Sequence, residues 1–176
     1  MFMPKHLMSI ALIGLAVPIA AAQQSPGLGE PVSHEEIGQV DFTIMPDGEG
    51  LPDGSGNAVV GGELYQQYCL ACHGEGGSGG INDLLVGGRG SLTTDRPVKT
   101  IGSFWPYATT LFDYIRRAMP YQSPGILSDE QIYSLTAYLL FLNDIIGEEM
   151  ELNAESLPAV VMPNRDNFDW AHSLRD

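Results

Sequence analysis

The stretch Cys69-Leu70-Ala71-Cys72-His73 decides the fold of this chain. A Cys-x-x-Cys-His run is the attachment signal of a c-type haem, in which two thiols bond to the porphyrin and the adjacent histidine ligates the iron. Cys69 and Cys72 are the only two cysteines among 176 residues, so no other thiol competes for this role. The motif therefore predicts one covalent haem c, attached at Cys69 and Cys72, with His73 as the proximal iron ligand.

Three other uses of the cysteine pair fit the sequence less well. A thioredoxin-like redox motif is expected between strands and a helix, whereas a glycine-rich loop follows at residues 74–80. A structural zinc site usually takes four Cys or His ligands, and beyond the motif and the N-terminal segment only His34 and His172 remain. A local disulfide is the third alternative, but the adjacent histidine and the export signal described below favour the haem.

The second axial position of the iron is predicted to be filled by a methionine, whose soft thioether raises the reduction potential. Met119 is the preferred candidate because it ends a helical stretch and is followed by Pro120, which stops that helix. Met162 is the second choice, since it precedes a proline but comes after the last strong helix. The remaining candidates are Met45, Met150, His34 and His172. The predicted metal ligands are therefore His73 and Met119, and no catalytic residue is predicted.

Residues 1–22 are typical of a secretory signal peptide. Lys5 and His6 form a short basic start, the run 7–22 is apolar, and Ala20-Ala21-Ala22 offers a small-residue cleavage site. No later stretch is long and apolar enough to span a membrane. We therefore expect a periplasmic protein without a membrane anchor after cleavage; an uncleaved anchor is the less favoured alternative because the apolar run is short.

The charge is strongly acidic and uneven. The whole chain carries a formal net charge of −14, and removal of residues 1–22 leaves seven basic against 22 acidic residues, or −15. This balance argues against nucleic acid and anionic membranes as partners. Five of the basic residues nevertheless fall between positions 89 and 117, where they could orient a partner, pair with haem propionates or be ordinary solvated charge: Arg89, Arg96, Lys99, Arg116 and Arg117.

The chain is expected to form an all-α, class I cytochrome c-like haem domain. One helix is predicted from about Val59–Gly62 into Cys69, and a second over 110–118 with Thr110 as its cap. A third begins after Ser128, which with Gln131 forms a capping box. The predicted organisation is a signal peptide (1–22), an extended Gly/Pro/acid-rich arm (23–57), the haem domain (58–147) and an irregular C-terminal tail (148–176).

From residue 41 to about 168 the chain resembles the c-type cytochrome subunits of periplasmic sulfane and sulfite dehydrogenases, the SoxD type in particular. The most specific stretch is RPVKTIGSFWPYATTLFDYIRRAMP at residues 96–120. PDGEGLP with GSG at 46–56, LTAYLL at 135–140 and MPN at 162–164 extend the likeness, whereas CLACHG at 69–74 is shared with most c-type cytochromes. The chain has one haem motif where some members of the family have two.

The resemblance implies the same four haem residues, Cys69, Cys72, His73 and Met119, and a one-electron role. It also implies a molybdenum-containing sulfur dehydrogenase subunit as electron donor and a downstream cytochrome c or other acceptor. Trp105 and Tyr107 are candidates for the haem edge, with an aromatic core as the equal alternative. The rival functions are a free electron shuttle and a haem enzyme with an open sixth site; a haem-stabilised binding module is the least favoured.

Overall fold

A computed structural model describes residues 28–82 and 84–168 and divides the chain into two compact units, Met1–Gln39 and Val40–Asp176. In the described part of the first unit, helix α1, His34–Val40, begins with reciprocal hydrogen bonds. The Ser33 backbone N–H donates to a Glu36 carboxylate oxygen at 2.9 Å, and the Glu36 N–H donates to Ser33 Oγ at 3.2 Å. The predicted signal peptide lies outside the described residues.

The described part of the second unit is mainly helical. Its helices are α2 (Ala58–Tyr68), α3 (Leu70–His73), α4 (Ala108–Ala118) and α5 (Asp129–Leu142). Strands β1 (Ser55–Gly56) and β2 (Leu152–Asn153) pair antiparallel, Ser55 opposite Asn153. Single 3-10 turns occur at Glu75–Gly77, Ser91–Thr93 and Arg165–Asn167. Residues 78–82 and 84–107 contain no other helix or strand.

The capping box of α5 is confirmed: Ser128 accepts from the Gln131 N–H, and the Gln131 side chain accepts from the Ser128 N–H. The start of α4 differs from the prediction. Tyr107 is its N-cap and makes no side-chain capping bond, so Thr110 lies within the first turns of the helix. The helix ends at Ala118 because Met119, which precedes Pro120, is extended with φ −122° and ψ 143°.

The core forms where α2 packs on α5, the most extensive contact between helices in the described residues. Segments outside the predicted haem domain also contribute to it. Leu152 and Leu157 are completely buried, Met162 is 1% exposed, and Ile44 is buried as well. Residues on both sides of the predicted haem domain, 58–147, therefore pack into the same core.

Among the described residues, four side-chain hydrogen bonds attach these flanking segments to the rest of the unit, and two of them are shorter than 3.0 Å and part-buried. Tyr133 Oη donates to the Pro52 carbonyl at 2.9 Å, and Asn164 Nδ2 donates to the Phe104 carbonyl at 2.8 Å. Both bonds join residues 60 or more positions apart, so they fix irregular chain that local sequence preference does not order. Across residues 28–82 and 84–168, no helix is both long and apolar enough to cross a bilayer.

Candidate haem site

A cavity of about 950 Å³ lies in the second unit, and Cys69, Cys72, His73 and Met119 all line it. Its volume is at the upper end of the range of roughly 300–1,000 Å³ that ligand and cofactor pockets occupy. Cys69, Cys72 and His73 lie within five consecutive positions of the sequence. Met119 follows the end of α4, 46 positions after His73. The fold therefore brings together the four residues that the sequence predicted for the haem.

The join between α2 and α3 presents the two cysteines and the histidine. Cys69 stands between the helices, and its N–H donates to the Tyr65 carbonyl at 2.9 Å. Its own carbonyl accepts from the Cys72 N–H at 3.1 Å and from the His73 N–H at 3.0 Å. One helical turn thus fixes the backbone of both thiols and the imidazole, and all three side chains reach the cavity.

The backbone after His73 is held in place by a tight loop. Gly74 has φ +78°, and a β-carbon there would come within 2.0 Å of the Ser78 carbonyl oxygen. Only glycine adopts this close left-handed approach without strain. The Gly74 carbonyl accepts from Tyr65 Oη at 2.9 Å, and the Cys72 carbonyl accepts from the Asn82 N–H at 3.0 Å. The proposed proximal histidine therefore lies between two anchored peptide groups.

Met119 faces the same cavity from α4. Its N–H donates to the Ile115 carbonyl at 3.1 Å, and its side chain is half-buried. Among the four methionines in the described residues it is the one that lines the cavity. Met162, the second choice from sequence, is packed in the core at 1% exposure, while Met45 and Met150 are exposed. His34 belongs to the first unit, and His172 lies outside the described residues.

The cavity wall is mostly apolar. Its aliphatic members include Leu85, Val98, Ile101, Leu111, Ile115, Leu135 and Leu139. Burial, followed by the neighbouring Cys72, raises the pKa of the Cys69 thiol to about 11, because low-dielectric surroundings disfavour a thiolate. Apolar faces beside two thiols, an imidazole and a thioether match the chemistry of a haem c.

Neither a metal cluster nor a disulfide uses the cysteine pair in the described residues. Within residues 28–82 and 84–168, no group of three or more His, Cys, Asp or Glu side chains converges. Cys69 and Cys72 are both free thiols. The two side chains therefore stay available for two thioether bonds.

The structure separates the two aromatic candidates. Trp105 lines the cavity, and its ring meets Tyr114 nearly edge-on, with centroids 5.6 Å apart and an interplanar angle of 82°. Tyr107 is not among the residues that line the cavity; the Arg165 guanidinium lies 5.8 Å from the centroid of its ring. A place for Trp105 at the haem edge therefore remains a proposal, and no contact that Tyr107 makes with the described residues supports the same role for that residue.

The five clustered basic residues have different surroundings. Arg116 pairs with Asp129 at 3.6 Å, and Arg117 pairs with Asp113 at 2.7 Å. Arg89 donates to the Asn143 carbonyl. Arg96 is exposed, and Lys99 lines the cavity. Three of the five thus contact other parts of the protein, Arg96 is exposed, and Lys99 lies at the site.

The sequence analysis did not identify the residues outside the motif that fix its backbone. Tyr65 could have been found, because it stands four positions before Cys69 on the same face of α2. The wall residues 97–101 carry no periodic signal, since they belong to an irregular segment. Their place on the cavity depends on long-range packing, which only the fold reveals.

Comparisons with known proteins agree on this part of the chain. Residues 56–139 match the family model of cytochrome c oxidase, cbb3-type, subunit III. A chain in the crystal structure of the sulfane dehydrogenase SoxCD from Paracoccus pantotrophus is 40% identical and superposes with a TM-score of 0.77. That match covers 86% of this chain and 75% of the solved one. No curated protein matches the sequence.

Proposed function

The chain belongs to the SoxD-like c-type cytochromes, and on that premise we propose that it is a periplasmic mono-haem cytochrome. In this proposal it accepts electrons from a molybdenum-containing sulfane or sulfite dehydrogenase subunit and passes them to a downstream acceptor. The predicted fold, all-α with a class I cytochrome c core, is confirmed. Family membership supports an electron-transfer component that is not an enzyme on its own.

The observation that carries the proposal is the convergence of Cys69, Cys72, His73 and Met119 on one cavity. The two cysteines would hold the haem covalently, and His73 and Met119 would ligate its iron. Bound there, a haem c supplies one-electron chemistry between ferric and ferrous iron. If His73 and Met119 both ligated the iron, no position would remain for a substrate, and this favours electron transfer over a haem enzyme.

The remaining wall residues would set the environment of the iron. Leu111 and Ile115 of α4 and Leu135 and Leu139 of α5 are buried and line the cavity, so they would help to exclude water from a bound haem. Exclusion of water disfavours the more highly charged oxidation state and so tends to raise the reduction potential. The thioether of Met119 acts in the same direction.

The partner follows from the relative, not from the cavity. The solved relative is a sulfane dehydrogenase, and the resemblance of residues 96–120 to SoxD-type subunits supports a catalytic partner that oxidises a sulfur species. A two-electron oxidation there would require two successive single-electron transfers to this chain. Contacts with the final acceptor are expected to be small and transient, as is typical of redox encounters.

The test is co-expression of this chain with a candidate catalytic subunit in a host that exports and matures c-type cytochromes. We expect the two to co-purify and the haem to be reduced when the sulfur substrate is added. The oxidised protein should show the weak long-wavelength charge-transfer band that marks methionine ligation. A chain that always elutes alone would be a free shuttle. Absence of that band, together with rapid cyanide binding, would identify a haem enzyme with an open site.

A further inference from the structure

The charges on the cavity wall are unlike those of the chain as a whole. The chain has 22 acidic and eight basic residues, yet the described residues that line the cavity include no Asp or Glu. Lys99 is the one Lys or Arg side chain among them. Lys99 is therefore the cationic side chain that the described residues place on the wall of a mostly apolar cavity, in a protein whose overall field repels anions.

The backbone on both sides of Lys99 is fixed by buried hydroxyl groups. The Thr100 N–H donates to Ser103 Oγ at 2.9 Å, and Ser103 Oγ donates to the Val98 carbonyl at 2.7 Å. The Val98 N–H donates to Ser91 Oγ at 2.9 Å. Thr100 and Ser103 are 2% and 6% exposed. Lys99 is thus presented from an anchored segment, although its own side chain is exposed.

The Lys99 ammonium has no acidic partner among the described residues. The ion pairs there join Arg116 to Asp129 and Arg117 to Asp113. The contact found for Lys99 is with the ring of Phe104, whose centroid lies 4.8 Å from Nζ. No carboxylate of the described residues therefore neutralises this positive charge.

We propose that Lys99 binds a propionate carboxylate of the haem. This inference rests on the proposed function, since it needs the haem in the cavity. In a bound haem c the two thiols would hold the vinyl groups of the porphyrin, and the apolar wall would pack against the ring. The carboxylates then need a cation, and Lys99 is the wall residue that offers one. Lys99 is thus assigned a role in tuning the haem and not in attaching it.

Loss of the positive charge of Lys99 should change both the reduction potential of the haem and the pKa of the propionate. A carboxylate near the iron favours the ferric state, and a paired lysine offsets this; loss of the lysine should lower the reduction potential. A nearby cation also lowers the pKa of a carboxyl group. Without the lysine the propionate should titrate at higher pH, and the fall in potential that accompanies its ionisation should move to higher pH with it.

The experiment measures the reduction potential of the matured, haem-loaded protein between about pH 5 and 8. The variants are Lys99→Met, Lys99→Gln and Lys99→Arg, with Arg96→Met as the matched control. Arg96 is exposed and is not among the cavity residues, so its loss changes the net charge equally. The other titratable wall residues, Tyr68, Cys69, Cys72, His73, Tyr114 and Tyr121, are common to every variant.

We expect Lys99→Met and Lys99→Gln to shift the ferric/ferrous equilibrium about two- to five-fold towards ferric, as for a partly exposed ion pair. The pH range over which the reduction potential falls should move to higher pH in both variants. Lys99→Arg should keep the wild-type range. An unchanged potential and pH range in both neutral variants would overturn the proposal, as would an equal shift in Arg96→Met. Haem content should be the same throughout; a haem-free wild type would contradict the proposed function instead.

Discussion

A β-carbon placed on Gly61 would lie 2.0 Å from the carbonyl oxygen of Ser134. The two residues mark the place where α2 crosses α5, and α2 leads directly into the haem motif. Contact this close requires a residue without a side chain on one helix. The crossing of these helices therefore depends on glycine at position 61.

Gly61→Ala should destabilise the protein by about 1–3 kcal/mol, because a methyl group would be forced against backbone that cannot move aside. Denaturant unfolding of the haem-loaded protein measures this loss. Gly62→Ala is the matched control, since the nearest atom there is in the Tyr138 ring at 3.2 Å. That ring can give way, and alanine gains up to about 1 kcal/mol of helix propensity. Equal losses in both variants would contradict the close crossing.

Met119→Leu should abolish the methionine charge-transfer band and lower the reduction potential by on the order of 0.1 V or more, because axial ligands set haem potentials over a span of about 0.8 V. Met162→Leu is the control, since Met162 is packed in the core at 1% exposure. It should keep the band and lose less than about 1.5 kcal/mol of stability. The assignment of Met119 is wrong if the band survives in Met119→Leu and disappears in Met162→Leu.

The stability of the protein should fall as the pH rises from about 10 towards 12. Burial raises the pKa of Tyr65 from 10.0 to about 12. A folded state that holds this proton more tightly than the unfolded chain has its full stability below about pH 10 and loses it as the pH passes the folded value. Tyr133 has the same shift.

Unfolding measured at several pH values tests this dependence. Tyr65→Phe should flatten the decline above about pH 10. It should also cost about 0.5–1.5 kcal/mol at neutral pH, because the hydrogen bond to the Gly74 carbonyl is lost. Tyr121→Phe, at a residue that is 77% exposed, should leave the profile as it is. If both variants decline as steeply as the wild type, buried Tyr65 is not a source of the pH dependence.

Leu157→Ala should cost about 2–5 kcal/mol, as expected for a completely buried leucine. This prediction tests whether the C-terminal segment is part of the core. Val161→Ala, at a neighbouring residue that is 72% exposed, should change the stability by no more than about 0.5 kcal/mol. A C-terminal segment that lay loosely on the surface would give two equally small effects in thermal or denaturant unfolding.

Local signals made the helices and the motif predictable to different degrees. The start of α5 was readable because Ser128 and Gln131 bond reciprocally. The start of α4 was placed too late, because Tyr107 begins that helix without a side-chain cap. Thr110 and Asp113 resembled a capping box, but Asp113 instead pairs with Arg117. The pairing of Thr110 with Asp113 in the sequence therefore did not mark the start of the helix.

The candidate site was predictable where its residues are marked by chemistry or by a proline. Cys69, Cys72 and His73 form one short motif, and Pro120 marks the end of the helix before Met119. The wall around Lys99 was not predictable, because its irregular segment is held by part-buried hydroxyl hydrogen bonds between positions 7 and 13 residues apart, which leave no periodic pattern. The contribution of Leu152 and Leu157 was missed for the same reason, since irregular chain can fill a core without any periodic pattern.

The most direct test of the account is the mass of the denatured chain, purified from the periplasm of a host that matures c-type cytochromes. The account predicts the mass of the processed polypeptide plus a single haem, which stays attached after unfolding and is absent from a Cys69→Ala/Cys72→Ala variant. A colourless wild-type chain with the mass of the bare polypeptide would contradict it.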